Sequence, residues 1–218
     1  MAGPTHDVWE AMGTARSIRR FRPEPVDDAV LARCLEAATW APSGGNQQPW
    51  RFVVMKSPES RRALATGAAH TLAGVQKLYK LERPDPADDS PAARNARATF
   101  ALHDGAAGVP AAVLFCMRAL PDTPDFVQGG SIYPAMQNFL IAARASGLGA
   151  CLTGWHIGAQ AVIREATGVP DDWHLAGLVI VGWPKGHHGP LRRRPLSKVA
   201  NLDRWDAPFI TPDAPEEP

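Results

Sequence analysis

Three separated apolar runs constrain this chain most: WRFVVM at 50–55, VPAAVLFCM at 109–117 and LAGLVIVGW at 175–183. Each is short, rich in β-branched and aromatic residues, and reads as a buried strand. A fourth, weaker run, LGACLTGW at 148–155, reads as a short strand followed by a turn. Between them lie stretches with helical periodicity. In 27–40, Val30, Leu31, Cys34, Leu35 and Ala38 fall on one face, and Asp27 or Asp28 caps the start. Ser57-Pro58-Glu59 opens another helix, with proline at an early helical position. An apolar helix over 131–147 ends at Gly147, and one over 158–167 is closed by Gly168. A short helix over 5–14 is expected to take Thr5 as its cap. Strands and helices alternate unevenly, which predicts an α+β fold, a mixed sheet with helices on both faces.

With 218 residues, 45% of them hydrophobic, the chain reads as one domain over 1–218 with a sizeable core. The segment 70–108 fits this pattern least: an amphipathic stretch, a Pro/Asp-rich break and a helix through Arg94 to His103. Long excursions of this kind are often lids or binding loops over a site, which is one expectation for 70–108; disorder around its prolines is the other. The Pro-rich, acidic tail at 201–218 is expected to be an extended arm. A net charge of +1 gives no drive toward nucleic acid or an anionic membrane surface. No apolar run is long enough to span a bilayer, and the N-terminal residues carry no secretory pattern. Cys34, Cys116 and Cys151 lie far apart in apolar surroundings without CxxC spacing, so buried free thiols in a reducing cytoplasm are expected.

The chemistry concentrates in a few places. APSGGNQQPWRF at 41–52 joins a helix to a strand through residues small enough for backbone amides to approach a ligand. Its amides, Asn46, Gln47 and Gln48, offer donors and acceptors together, which suits the edge of a planar heterocycle. A polar surface loop is the plainer reading. Arg16, Ser17 and Arg19 precede the helix at 27–40, and Arg192, Arg193 and Arg194 follow the last strong strand. Guanidinium forks match phosphate oxygens, so the two clusters are candidates for one phosphate; two solvated basic patches are the alternative. There is no GxxxxGK[ST], HExxH or GxSxG motif, and the Gly147–Gly149 pair lacks the rest of a dinucleotide fingerprint. His187 and His188 are adjacent with no evident third ligand, so they are read as loop residues and no metal is expected.

RSIRRF at 16–21, APSGGNQQPW at 41–50, Gln137-Asn138 in a helix leading to GLG at 147–149, LTGW at 152–155 and RRPL at 193–196 together resemble the FMN-dependent nitroreductase superfamily, in order and spacing over nearly the whole chain. The resemblance implies a three-layer α+β sandwich, a central mixed sheet flanked by helices, assembled as an intertwined homodimer with FMN at the subunit interface. It implies that Arg16, Ser17, Arg19 and Arg193 hold the cofactor's phosphate, ribityl chain and pyrimidine edge. Pro42, Ser43, Gly44, Asn46 and Gln48 would come from the partner subunit, and Leu152, Thr153 and Gly154 would lie along the ring. No side chain need be catalytic, because the flavin carries the chemistry. The implied activity is hydride transfer by a ping-pong mechanism from NAD(P)H to an electron-poor acceptor such as a nitroaromatic or quinone. Reductive dehalogenation, flavin-dependent dehydrogenation and flavin binding without turnover are the alternatives. Ala15 departs from the pattern, since many members carry a basic residue there.

Overall fold

The computed structural model describes residues 3–120 and 123–209, with the backbone alone at Asp125. Four strands, β1 (Trp50–Met55), β2 (Ala111–Arg118), β3 (Gly149–Thr153) and β4 (Trp173–Gly182), form one sheet in the order β1-β2-β4-β3. All three pairings are antiparallel. The parallel component expected of a mixed sheet is a single bridge, Ser17 to Ala150, on the outer edge of β3. The reason lies in the connections. After β1, helices α3 (Pro58–Tyr79) and α4 (Pro91–Asp104) pack against each other and return the chain to the end of the sheet it left, where Ala112 meets Met55. A strand entering there must run antiparallel to β1.

Strand β2 is buried along both faces and divides the core. Val113, Phe115 and Met117 face α2 (Asp28–Thr39) and α5 (Asp125–Ala145), joining Leu31, Met136 and Phe139. Ala112, Leu114 and Cys116 face the other way, toward Leu64 of α3, Leu102 of α4 and Ile163 of α6 (Gln160–Thr167). The result is the three-layer sandwich that the resemblance implies. Of the helical periodicity in 27–40, 12 residues are realised as α2, though Asp27 makes no side-chain cap bond.

Several boundaries differ from the sequence reading. Helix α1 is Val8–Thr14, and Asp7, not Thr5, caps it by accepting from the amides of Trp9 and Glu10. Thr5 instead donates to Glu10 Oε2 at 2.6 Å. Helix α3 runs unbroken from Pro58 into the 70–108 segment, so only 80–90 lies outside a helix before α4. That connection is held: Arg83 makes two bonds to the Asp104 carboxylate at 2.8 and 2.9 Å, and Arg97 donates to the Asp88 carbonyl at 2.7 Å. Helix α5 begins at Asp125, six residues before the apolar periodicity starts. In the tail, Asn201 bridges to Pro208, folding 201–209 into a local turn; residues 210–218 of the expected arm lie outside the described residues. Cys34, Cys116 and Cys151 are buried free thiols whose pKa values burial pushes up, Cys116 to about 11.

Candidate functional site

The segment 15–22 is laid along the sheet by backbone bonds. The Ile18 amide donates to the Ala150 carbonyl at 2.9 Å and the Arg22 amide to the Trp183 carbonyl at 2.8 Å. Gly149 permits this approach, since a Cβ there would stand 2.7 Å from Ile18 Cγ2. Arg16 and Ser17 are thereby exposed at the edge of β3, and Arg19 is partly covered.

The C-terminal arginines come to the same place. The Leu191 amide donates to the Gly13 carbonyl at 3.0 Å, and the Gly189 backbone lies beside the Arg16 guanidinium. Arg16, Ser17, Arg19, Arg192 and Arg193 line one cleft of about 440 Å³. Among the described residues, no carboxylate lies within 4.0 Å of any of these guanidinium groups. Uncompensated like charges around a cleft repel one another, and an entering dianion with several acceptor oxygens relieves the repulsion. The donor set therefore fits a phosphate monoester such as that of FMN.

A smaller cavity of about 100 Å³ adjoins it, lined by Arg16, Ser17, Gln137, Arg144, Leu152 and His188 among others. Three of these were not legible as site residues. Arg144 is 1% exposed, ion-paired to Glu10 at 2.9 Å, and bonded to the Thr14 hydroxyl and the Gly3 carbonyl. His188 is in a loop, as expected, but buried: Nδ1 lies 3.3 Å from the Thr14 carbonyl and Nε2 3.0 Å from the Leu148 carbonyl. Its pKa is lowered, first by burial and then by the Arg144 cation. It ties the chain before Arg16 to the turn before β3. Gln137 reaches the cavity from α5, while its neighbour Asn138 donates to the Ala37 carbonyl and joins α5 to α2.

Leu152 is 49% exposed on the α5 side of β3. The Thr153 hydroxyl donates to the Leu178 carbonyl at 3.2 Å, so the donor Thr153 can offer a ligand is its backbone amide. The Gly154 carbonyl accepts from Thr71 of α3 at 3.2 Å, placing the C-terminal half of α3 beside the end of β3.

The loop 41–49 is elsewhere. Trp50 opposes Met117, whereas Ala150 opposes Val181, which opposes Ala111. Six residues of β2 separate these levels, about 20 Å at strand spacing. Pro42, Ser43 and Gly44 line a different cleft with Gln47, Leu120 and Val127. Within the loop, Ser43 Oγ accepts from the Gln48 amide at 3.0 Å and the Gln48 side chain donates to Asn46 at 3.2 Å. Asn46 and Gln48 hold φ of 53° and 49°, left-handed values that are uncommon away from glycine. A single chain therefore unites Arg16, Ser17, Arg19, Arg193 and Leu152, but not the 42–48 residues.

The profile of the nitroreductase family matches residues 13–183. The chain belongs to the nitroreductase family. An NADH dehydrogenase from Thermus thermophilus is 32% identical over 90% of this chain and 96% of its own length. A 5,6-dimethylbenzimidazole synthase from Rhodospirillum rubrum is 30% identical, covering 79% of this chain and 80% of the relative. Among solved structures, a protein described as a nitroreductase from Desulfovibrio desulfuricans, in complex with FMN, superposes with a TM-score of 0.66 at 27% identity, over 94% of this chain and 99% of that one. The nitroreductase fold expected from the motifs is thus the fold observed. Among the described residues, no cluster of His, Cys, Asp and Glu is arranged to hold a metal, and no helix is long and apolar enough to cross a membrane.

Proposed function

We propose that this nitroreductase-family chain is a homodimeric FMN oxidoreductase that passes hydride from NAD(P)H to an electron-poor acceptor, such as a nitroaromatic or quinone, in a ping-pong cycle. The observation that carries the reading is the convergence of Arg16, Ser17, Arg19, Arg192 and Arg193 on one cleft at the edge of β3 without a carboxylate partner. FMN supplies the two-electron chemistry. Arg16, Arg193 and Ser17 bind its phosphate, and Arg192 takes over the contact that a basic residue at Ala15 would make. Arg19 offers a cation to the pyrimidine edge, where negative charge develops on reduction. Leu152 and the backbone of Thr153 and Gly154 form the floor for the ring. Pro42, Ser43, Gly44, Asn46 and Gln48 reach the ring from the partner subunit, which their separation from the arginine cleft within one chain favours. The helices α3 and α4 cover the open face and shape acceptor choice.

Anaerobic stopped-flow mixing with NADH and NADPH, followed by a panel of acceptors, tests the reading. Bleaching of the yellow colour and its recovery with a nitroaromatic or quinone are expected. A flavin-loaded protein that no nicotinamide nucleotide bleaches would be a binding protein rather than this oxidoreductase. The Rhodospirillum relative favours a second reading, synthesis of 5,6-dimethylbenzimidazole; formation of that product by the flavin-loaded protein would decide for it.

A further inference from the structure

We infer that the groove between residues 19–21 and the C-terminal end of α4 binds the 2′-phosphoadenosine end of NADPH, making NADPH the preferred donor; this rests on the flavoenzyme reading above. The groove measures about 510 Å³ and presents three cations, Arg19, Arg20 and Lys185, over an apolar floor that includes Phe21, Leu102 and Pro110. The cations are placed by backbone, not by chance of side-chain pose. The Lys185 amide donates to the Arg20 carbonyl at 3.0 Å, and Phe21 bridges to Pro184.

None of the three cations has a carboxylate within 4.0 Å among the described residues. Among the described residues the Arg19 guanidinium donates to the neutral Asn95 Oδ1, at 3.3 Å. The acid at the end of α4, Asp104, is held by Arg83 through two bonds. Three like charges around one groove are unfavourable until an anion enters. The ligand that suits both features is a purine carrying a phosphate monoester: the base covers the apolar floor and the dianion meets Arg20 and Lys185. NADH presents a hydroxyl where NADPH presents that phosphate, so the groove discriminates between them. Arg19 lines both this groove and the flavin-phosphate cleft, so the two share a wall.

The test uses Arg20→Gln and Lys185→Gln, singly and together, with FMN content read from the visible spectrum. Calorimetry with 2′,5′-ADP and 5′-AMP measures the groove directly. We expect 2′,5′-ADP to bind the wild type about tenfold or more tighter than 5′-AMP, with the difference lost in the double variant. In steady state, kcat/KM for NADPH should fall about tenfold in the double variant while that for NADH changes less than about twofold. Equal binding of the two nucleotides by wild type, a wild-type preference for NADH, or an unchanged NADPH/NADH ratio in a double variant with full FMN content would each overturn the assignment. A protein that takes up no FMN would sink the flavoenzyme reading separately, while the calorimetry still decides whether the groove reads a 2′-phosphate.

Discussion

Arg144, 1% exposed in the last turn of α5, is paired with Glu10 of α1 at 2.9 Å across 134 positions of sequence. Its other donors reach Thr14 Oγ1 at 2.7 Å and the Gly3 carbonyl at 3.1 Å, so α1 is fixed to the sandwich by one buried cation. Removing one partner of such a network leaves the others desolvated and unpaired. Arg144→Ala should therefore destabilise the protein by about 3–5 kcal/mol. Glu10 is half exposed, and Glu10→Gln should cost clearly less. Denaturant titrations at matched protein concentration measure both, and a loss below 1 kcal/mol for Arg144→Ala would mean the pair is dispensable.

His156 carries a pH dependence. It is 6% exposed, its Nδ1 has no partner, and burial lowers its pKa from 6.5 to about 4. The unfolded chain takes a proton near the ordinary value, the folded chain only near 4, so between these values the unfolded state binds more protons. The stability held above pH 6.5 is thus lost as the pH falls through about 4, on the order of 3 kcal/mol in all. His156→Phe should flatten this acid-side slope. An unchanged slope between pH 6.5 and pH 4 in urea melts would assign the loss to other groups.

Gly67 sits where α3 crosses the residues after β3. A Cβ there would run into the Trp155 carbonyl, which a rigid backbone cannot yield. Gly67→Ala should cost about 1–3 kcal/mol. It should also displace Gly154, since Thr71, one turn further along α3, holds the Gly154 carbonyl at 3.2 Å. A parallel fall in melting temperature and FMN affinity is the expected pair of readings; a drop in stability with FMN affinity intact would separate α3 from the site.

Much of this was readable from the chain. The strand runs are dense in Val, Ile, Leu and Phe because both faces of β2 and β4 are covered, and such runs need no tertiary knowledge. The arginine clusters were legible because no acid stands near them in sequence. Burial of Arg144 and His188 was not: their partners are Glu10, Thr14 and Leu148, and nothing local marks an arginine or histidine as internal. The first turns of α5 were missed because DFVQGG carries a glycine pair and no apolar period; they are tied to the preceding chain by Gln128, which accepts from the Leu120 amide and donates to the Thr123 carbonyl. The helical continuity of α3 through Gly67 and Gly74 was hidden by the low helix propensity of glycine, which packing against α6 and the turn before β2 overrides.

Arg193→Ala should weaken FMN binding by about 1.5–3 kcal/mol, roughly 10- to 100-fold, as loss of a charge-assisted bond to phosphate predicts. Among the described residues its guanidinium otherwise bonds only the Arg192 carbonyl, at 2.9 Å, so fold stability should hardly change. Flavin fluorescence quenching on titration of apoprotein gives the constant, and an unaltered value would remove Arg193 from the site.

The separation of the 42–48 loop from the arginine cleft gives the most discriminating prediction. Among the described residues, a Cβ at Gly44 meets no atom beyond its chain neighbours within 4 Å, so Gly44→Phe should leave the monomer's fold intact. If the loop packs on the flavin of the other subunit, the same change obstructs FMN binding without loss of stability. A mixture then tells whose loop it is. Gly44→Phe and an Arg16→Ala/Arg193→Ala variant should each bind FMN poorly alone. After unfolding and refolding together, a mixed dimer carries one doubly damaged site and one site with neither change. About a quarter of all sites should then recover wild-type affinity, as random assembly of twofold dimers requires. If the loop served the site of its own chain, every site in the mixture would stay damaged, and no recovery would be seen in the FMN titration.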